Sequence, residues 1–319
     1  MLKRAGIIGG SVLVGIIVAV IGVGILNAAR TPDVTAEMYL TALSQGRANT
    51  ASTMVAPGVP TGQQALLSDE GLAAADHRIK IESVKTVSES DQGATVDATV
   101  LLDGARFTHS LSLERGDNEF LLLKTWRVSS PWIVPIGITT TVSNTAVMGH
   151  VEIPVTPGRD APEGLSPLYV YPGVYTFTTA PNDYFEAEPV TVIAAEPTEA
   201  VIEIAESPTA SLSALVLKSA TNRVTACATV PTNLDEECPY ALRQKDLASM
   251  KVTAEPTTVE IRPDGAFQTG TATIRVQRDT SFGFTPPPSD VAFTVTGTVE
   301  FSDVGDPKVT ITGASNGYW

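Results

Sequence analysis

Apolar positions follow three successive regimes along the chain. Residues 7–26, IIGGSVLVGIIVAVIGVGIL, carry no charge; they hold thirteen Leu, Ile and Val, five glycines, and Ser11 as the only polar side chain. Twenty residues at about 1.5 Å each give about 30 Å, the thickness of a bilayer's hydrocarbon core, and predict a transmembrane helix. Lys3 and Arg4 precede it. By the positive-inside rule residues 1–6 form a cytoplasmic leader, and the chain from about residue 27 onward is exported. A cleaved signal peptide needs a shorter apolar core of about 7–15 residues. Length therefore favours a retained single-pass anchor over cleavage near Asn27 and Ala29. Ser11, Gly15, Ala19 and Gly22 recur at helical spacing, a small-residue stripe on which two such helices could pack as a homodimer. The alternative is the general abundance of glycine in membrane helices.

Helical spacing returns at residues 31–46, where Thr31 is placed to cap, Pro32 and Asp33 suit a first turn, and Gly46 ends the run. Val34, Met38 and Thr41, with Tyr39, Leu40 and Leu43 nearby, form its expected apolar side. A second helix is expected over residues 63–75, after the loop APGVPTG. From Ile79 the period becomes two. Val96, Ala98, Val100 and Leu102 alternate with polar positions, Asp103-Gly104 makes a two-residue hairpin turn, and Phe107, His109, Leu111 and Leu113 return. A turn at residues 115–118 and a strand over 120–128 complete an antiparallel meander.

PWIVPIG, residues 131–137, reads as a stiff connector. Residues 138–205 are strand-like almost throughout, with a turn at Pro172-Gly173. Glu196, Glu199, Glu203 and Glu206 recur at helical spacing, but stacking like charges is unfavourable, and Val201, Ile202 and Ile204 read better as strand. A hinge at residues 206–209 opens a third unit: helix over 211–221, a cysteine loop, a second helix over 240–250, then strands at 257–261, 271–277, 291–301 and 308–312. The expected fold class is thus an N-terminal transmembrane helix followed by a multi-domain α+β and all-β ectodomain of antiparallel sheets. Its units are an α+β domain (31–130), a small β-sandwich-like domain (138–205) and an α+β domain with a disulfide loop (206–319).

Helices followed by a four-strand meander ending in Trp126-Arg127-Val128 resemble the cone-shaped fold of the nuclear-transport-factor-two-like superfamily. Exported actinobacterial proteins carry such a domain directly after a membrane anchor. The YPGVYTF stretch resembles the turn of PEGA-type surface β-sandwiches, modules without catalytic residues. The general layout also resembles bacterial membrane proteins with a cytoplasmic zinc ribbon, but the leader has no cysteine, so that part does not carry over.

The formal net charge is −14, and removing Lys3 and Arg4 leaves −16 on the exported part. With no run of Lys or Arg, nucleic acid is not an expected partner. The two cysteines, Cys227 and Cys238, fall on the exported side, where a disulfide is the natural reading; without a CxxC spacing or nearby histidines, a metal site is not.

The sequence lacks the nucleophile elbow, the zinc-helix motif, the phosphate-binding loop, the EF-hand and the dinucleotide fingerprint. No catalytic residue, metal or cofactor is implied. His109 shares strand parity with Phe107, Leu111 and Leu113 and faces the concave side, as a general base or pH-responsive ligand, or as a hydrogen-bonded core histidine. His77 and His150 read as surface or strand-end residues, and the parity of Asp97 points it outward. Tyr169, Tyr171, Tyr175, Phe177, Tyr184 and Phe185 form an aromatic cluster, either an exposed platform for sugar rings or a sandwich core. Asp235, Glu236 and Glu237 read as a calcium-binding or simply solvated run. The expected function is a non-enzymatic, membrane-anchored extracytoplasmic binding or scaffold protein of the cell envelope, in contact with an envelope polymer or protein partner. The alternatives are a solute-binding sensor with a pocket around His109 and Phe107 (with Tyr171 and Tyr175 as further ligand-binding candidates), and an enzyme on the same cone.

Overall fold

The computed structural model describes residues 30–116, 125–158, 167–196, 198, 200–229, 237–280, 284–301 and 306–315. Residues 7–26, with Ser11, Gly15, Ala19 and Gly22, lie outside the described residues, as do residues 117–124 of the meander and Asp235 and Glu236. Among the described residues no helix is long and apolar enough to cross a membrane. They form mostly antiparallel sheets with few helices.

The first helix, α1 (Pro32–Ser44), starts at an extended Thr31 whose side chain makes no capping bond. It ends where Gly46 takes φ +76°, a conformation that costs glycine nothing. Its buried face is Ala36, Tyr39, Leu40, Ala42 and Leu43. Val34 and Met38 point the other way, at 39% and 60% exposure, so the expected apolar side is rotated toward the larger Tyr39 and Leu40. After α2 (Ala48–Met54), the single helix expected over 63–75 is replaced by a 3-10 turn at Thr61–Gln63 and the five-residue α3 (Asp69–Ala73). Ser68 causes the break: its Oγ accepts from Gly71 N at 3.1 Å and restarts the helix, while Leu66 and Leu67 drop into the core.

Next come β1 (His77–Arg78), β2 (Lys80–Glu89), β3 (Gly93–Leu102), β4 (Ala105–Arg115) and β5 (Trp126–Val128), the last four forming one antiparallel sheet in sequence order. Asp103 and Gly104 take φ +49° and +79°, the left-handed pair that a two-residue hairpin turn needs. Along β3, Ala94, Val96, Ala98, Val100 and Leu102 are buried, and α1 lies across this face.

The following strands are β6 (Val134–Thr140), β7 (Thr145–Met148), β8 (Val151–Pro154), β9 (Leu168–Val170), β10 (Gly173–Thr179), β11 (Phe185–Ala187), β12 (Val190–Ala194), β13 (Ala200–Ile204) and β14 (Glu206–Pro208). One sheet runs β1-β10-β7-β8 with β12 on β10, and a second runs β13-β6-β9. Val134, Ile136, Ile138, Ile202 and Ile204 of the second sheet share a core with Met148, Tyr175 and Phe177 of the first, a sandwich-like arrangement. β13 lies parallel to β6. Pro172-Gly173 does not close a hairpin between β9 and β10; it carries the chain from one sheet into the other. The stretch read as a hinge is also tied down, because β14 pairs with β11 (Phe185↔Pro208).

The third unit opens with α4 (Ala210–Cys227), longer than expected, with Thr209 Oγ1 accepting from Leu212 N. The helix expected over 240–250 is instead a 3-10 turn at Tyr240–Leu242 followed by strand β15 (Leu247–Ala254). Its Ala, Leu and Lys favour helix, but pairing with β18 (Ala272–Arg278) overrides that weak local preference. With β16 (Val259–Ile261), β17 (Ala266–Thr269), β19 (Ser289–Glu300) and β20 (Lys308–Ser315), the strand order is β15-β18-β19-β17-β16, with β20 also on β19. This is not the sequential meander of the first unit. α4 packs through Leu212 and Val216, which meet Val142 and Phe185 of the sandwich and Phe267 and Val299 of the last sheet.

Candidate functional site

His109 projects from β4 toward the core side, as its parity requires, and lies flat on Trp132, with ring centroids 4.5 Å apart and planes 11° apart. Burial lowers its pKa below the ordinary histidine value. Trp132 is 1% exposed and is held at both ends. Its backbone N donates to Tyr39 OH at 2.9 Å, and its indole Nε1 donates to Ala195 O at 2.9 Å. Burial pushes the Tyr39 phenol well above its ordinary range, with Tyr171 adding to the rise and the bond from Trp132 opposing it. The core side of the first sheet is covered: α1 supplies Tyr39, Leu40 and Leu43, the connector supplies Trp132, and Phe107 packs at the margin.

Tyr171 and Tyr175, the aromatic candidates, are buried. Tyr171 belongs to the core of the first unit, where its hydroxyl meets Ser52 Oγ at 2.8 Å; Tyr175 belongs to the sandwich core and donates its hydroxyl to Tyr171 O at 2.8 Å. Burial raises both phenols above their ordinary values. Phe177 and Phe185 are buried too. A sugar ring can stack only on an exposed face, so these rings act as core. Phe185 meets Phe301 of the third unit edge-on at 4.7 Å.

A cavity of about 390 Å³ lies where the first unit meets β1, lined by Ser44, His77, Arg78 and Asp103 among others. Lys80 lines it as well, and its other charged or titratable groups are engaged within the protein. Arg78 Nε donates to Ser44 O at 3.3 Å, Asp76 accepts from Thr176 Oγ1 at 2.6 Å, and His77 stands 3.7 Å from Asp103. His150 is exposed, 3.7 Å from Glu70, and Asp97 accepts from Ser110 Oγ on the outer face of the meander. Among the described residues no three His, Cys, Asp or Glu side chains are placed to hold a metal ion. Cys227 and Cys238 are joined in a disulfide with Cα atoms 5.7 Å apart, and both residues are buried in one core with Ala220, Val224, Leu242 and Ile274.

Two positioning groups lie where the sequence predicts a connector and a hinge. For Trp132 the available signal is a large aromatic between prolines, a residue type seldom left in water. Glu206 lies in the expected hinge and is buried. Its carboxylate accepts from Val142 N at 2.6 Å and Ser143 N at 2.9 Å, and from Ser143 Oγ, fastening the turn after β6 to the start of the third unit. Only long-range pairing reveals this. Comparison with protein-family models, curated proteins and solved structures gave no match.

Proposed function

We propose that this chain is a single-pass, membrane-anchored extracytoplasmic protein of the cell envelope that works by binding or scaffolding and not by catalysis. The observation that supports this best is the use made of the side chains most suited to chemistry. His109 is stacked on Trp132, and Tyr39, Tyr171 and Tyr175 are hydrogen-bonded inside cores, so recognition falls to the outer surface. The buried Cys227–Cys238 bond favours an oxidising compartment. Apolar residues 7–26 supply the anchor.

Two measurements on the full chain in cells test the reading. Maleimide labelling without reductant should leave Cys227 and Cys238 unmodified, and protease added outside intact cells should reach the body of the protein. Labelled cysteines or complete protection would overturn the location. His109→Phe keeps a ring on Trp132 and removes the titrating nitrogens, so crosslinked partners should be recovered as with the parent chain. Loss of partner or of a bound solute from a folded His109→Phe protein would instead favour the sensor or enzyme.

A further inference from the structure

We propose that the outward face of α1, centred on Val34 and Met38, seats on the lipid surface from which the chain emerges. The proposal rests on reading residues 7–26 as the anchor. Val34 and Met38 are one helical turn apart and exposed, and with Ala42 and Met54 they border a groove of about 380 Å³. Glu37, Thr41, Arg47 and Thr50 also line it; the two charges are of opposite sign, and the exposed apolar side chains supply the surface that a lipid phase would take up.

The position of this face selects the occupant. Only residues 27–31 separate the apolar run from α1. Six Cα steps from Leu26 to Pro32 span at most about 21 Å. On that reading α1 begins within that distance of the lipid boundary, and Met38, six residues on at about 1.5 Å each, lies within about 30 Å of it. Among the described residues the other exposed large apolar side chains, Val87, Ile193, Val201, Tyr240 and Phe284, line none of the described cavities; the α1 face combines a groove with a short tether to the apolar run. An exposed apolar pair on a helix whose opposite side already fills a core is explained by a second apolar phase.

The test uses the full chain in vesicles of phosphatidylethanolamine and phosphatidylglycerol. A nitroxide is attached to Met38→Cys, with Val34→Cys as the second variant and Val87→Cys as control; the native cysteines are already paired. Val87 is 57% exposed on β2 of the same unit. Position 38 should relax strongly with oxygen and lose most of its relaxation by a water-soluble nickel chelate, and position 87 should show the reverse. Nickel access at 38 and 34 equal to that at 87 overturns the proposal. Protection from both reagents shows a protein cover, and spin–spin broadening shows a second copy; either overturns it too. Flotation of the same samples reports the anchor separately. A chain that fails to float removes the anchor and this proposal with it, whereas one that floats with position 38 in water refutes only the seating of α1.

Discussion

Replacing Tyr39 with Phe removes one oxygen from the centre of the first unit and leaves the ring in place. That oxygen accepts from Trp132 N at 2.9 Å, and both residues are sealed from solvent. The variant leaves a backbone N–H without a partner where water cannot replace it, a loss of about 1–3 kcal/mol. Relief from burying the hydroxyl itself offsets part of this and places the expected value in the lower half of the range. Urea unfolding of the full chain in detergent, followed by tryptophan fluorescence, measures it, since Trp126 and Trp132 both belong to the first unit's core. The midpoint should fall while the slope stays unchanged. Tyr175→Phe is the internal comparison: its hydroxyl donates to Tyr171 O, and an under-satisfied carbonyl is tolerated better than an orphaned N–H. If Tyr39→Phe proves neutral, or costs less than Tyr175→Phe, the assignment of Tyr39 as the support of Trp132 is wrong.

The same phenols should set the alkaline limit of the fold. Tyr39, Tyr171 and Tyr175 all have folded-state pKa values above the ordinary one, so their contribution is complete below about pH 10 and is lost as the pH rises beyond it. Tyr39→Phe should flatten the fall in stability above that pH, and an unchanged slope would show that the buried phenol does not govern it. Reduction of Cys227–Cys238, or the double Cys→Ala variant, should cost about 2–3 kcal/mol for a closed loop of this length, read as a lower unfolding midpoint of the third unit. Glu206→Ala leaves Val142 N and Ser143 N without their acceptor and should cost about 2–4 kcal/mol, with Glu206→Gln milder because it keeps one carbonyl oxygen; equal losses would deny that oxygen's role as acceptor, and a Glu206→Gln protein as stable as the parent would deny the role of the carboxylate charge.

Local pattern made much of the first unit legible. The two-residue period of β3, the Asp103-Gly104 turn and the start and stop of α1 depend on near neighbours, and each is found where expected. The parity of His109 was legible as well, but its surroundings were not, because the ring it meets comes from a segment with no strand or helix signal. The errors share one cause. Residues 247–254 carry helix-forming composition and become strand because β18 stands beside them. Pro172-Gly173 has turn chemistry, but whether a turn closes a hairpin or changes sheet depends on partners far along the chain. The side of α1 that is buried was likewise decided by the sheet beneath it, which leaves Val34 and Met38 outside.

The parallel contact of β13 with β6 imposes an order of events on a chain that emerges from its N-terminal end. Residues 134–140 gain β9 on one edge once residues 168–170 have emerged, but the other edge stays unpaired until residues 200–204 follow, whereas the hairpins of the first sheet close as soon as each turn is through. During that interval β6 presents a bare apolar edge, the kind that invites pairing with another chain. Arrest of the nascent polypeptide before residue 200 should consequently yield a species prone to aggregate, and arrest just beyond residue 208 should not.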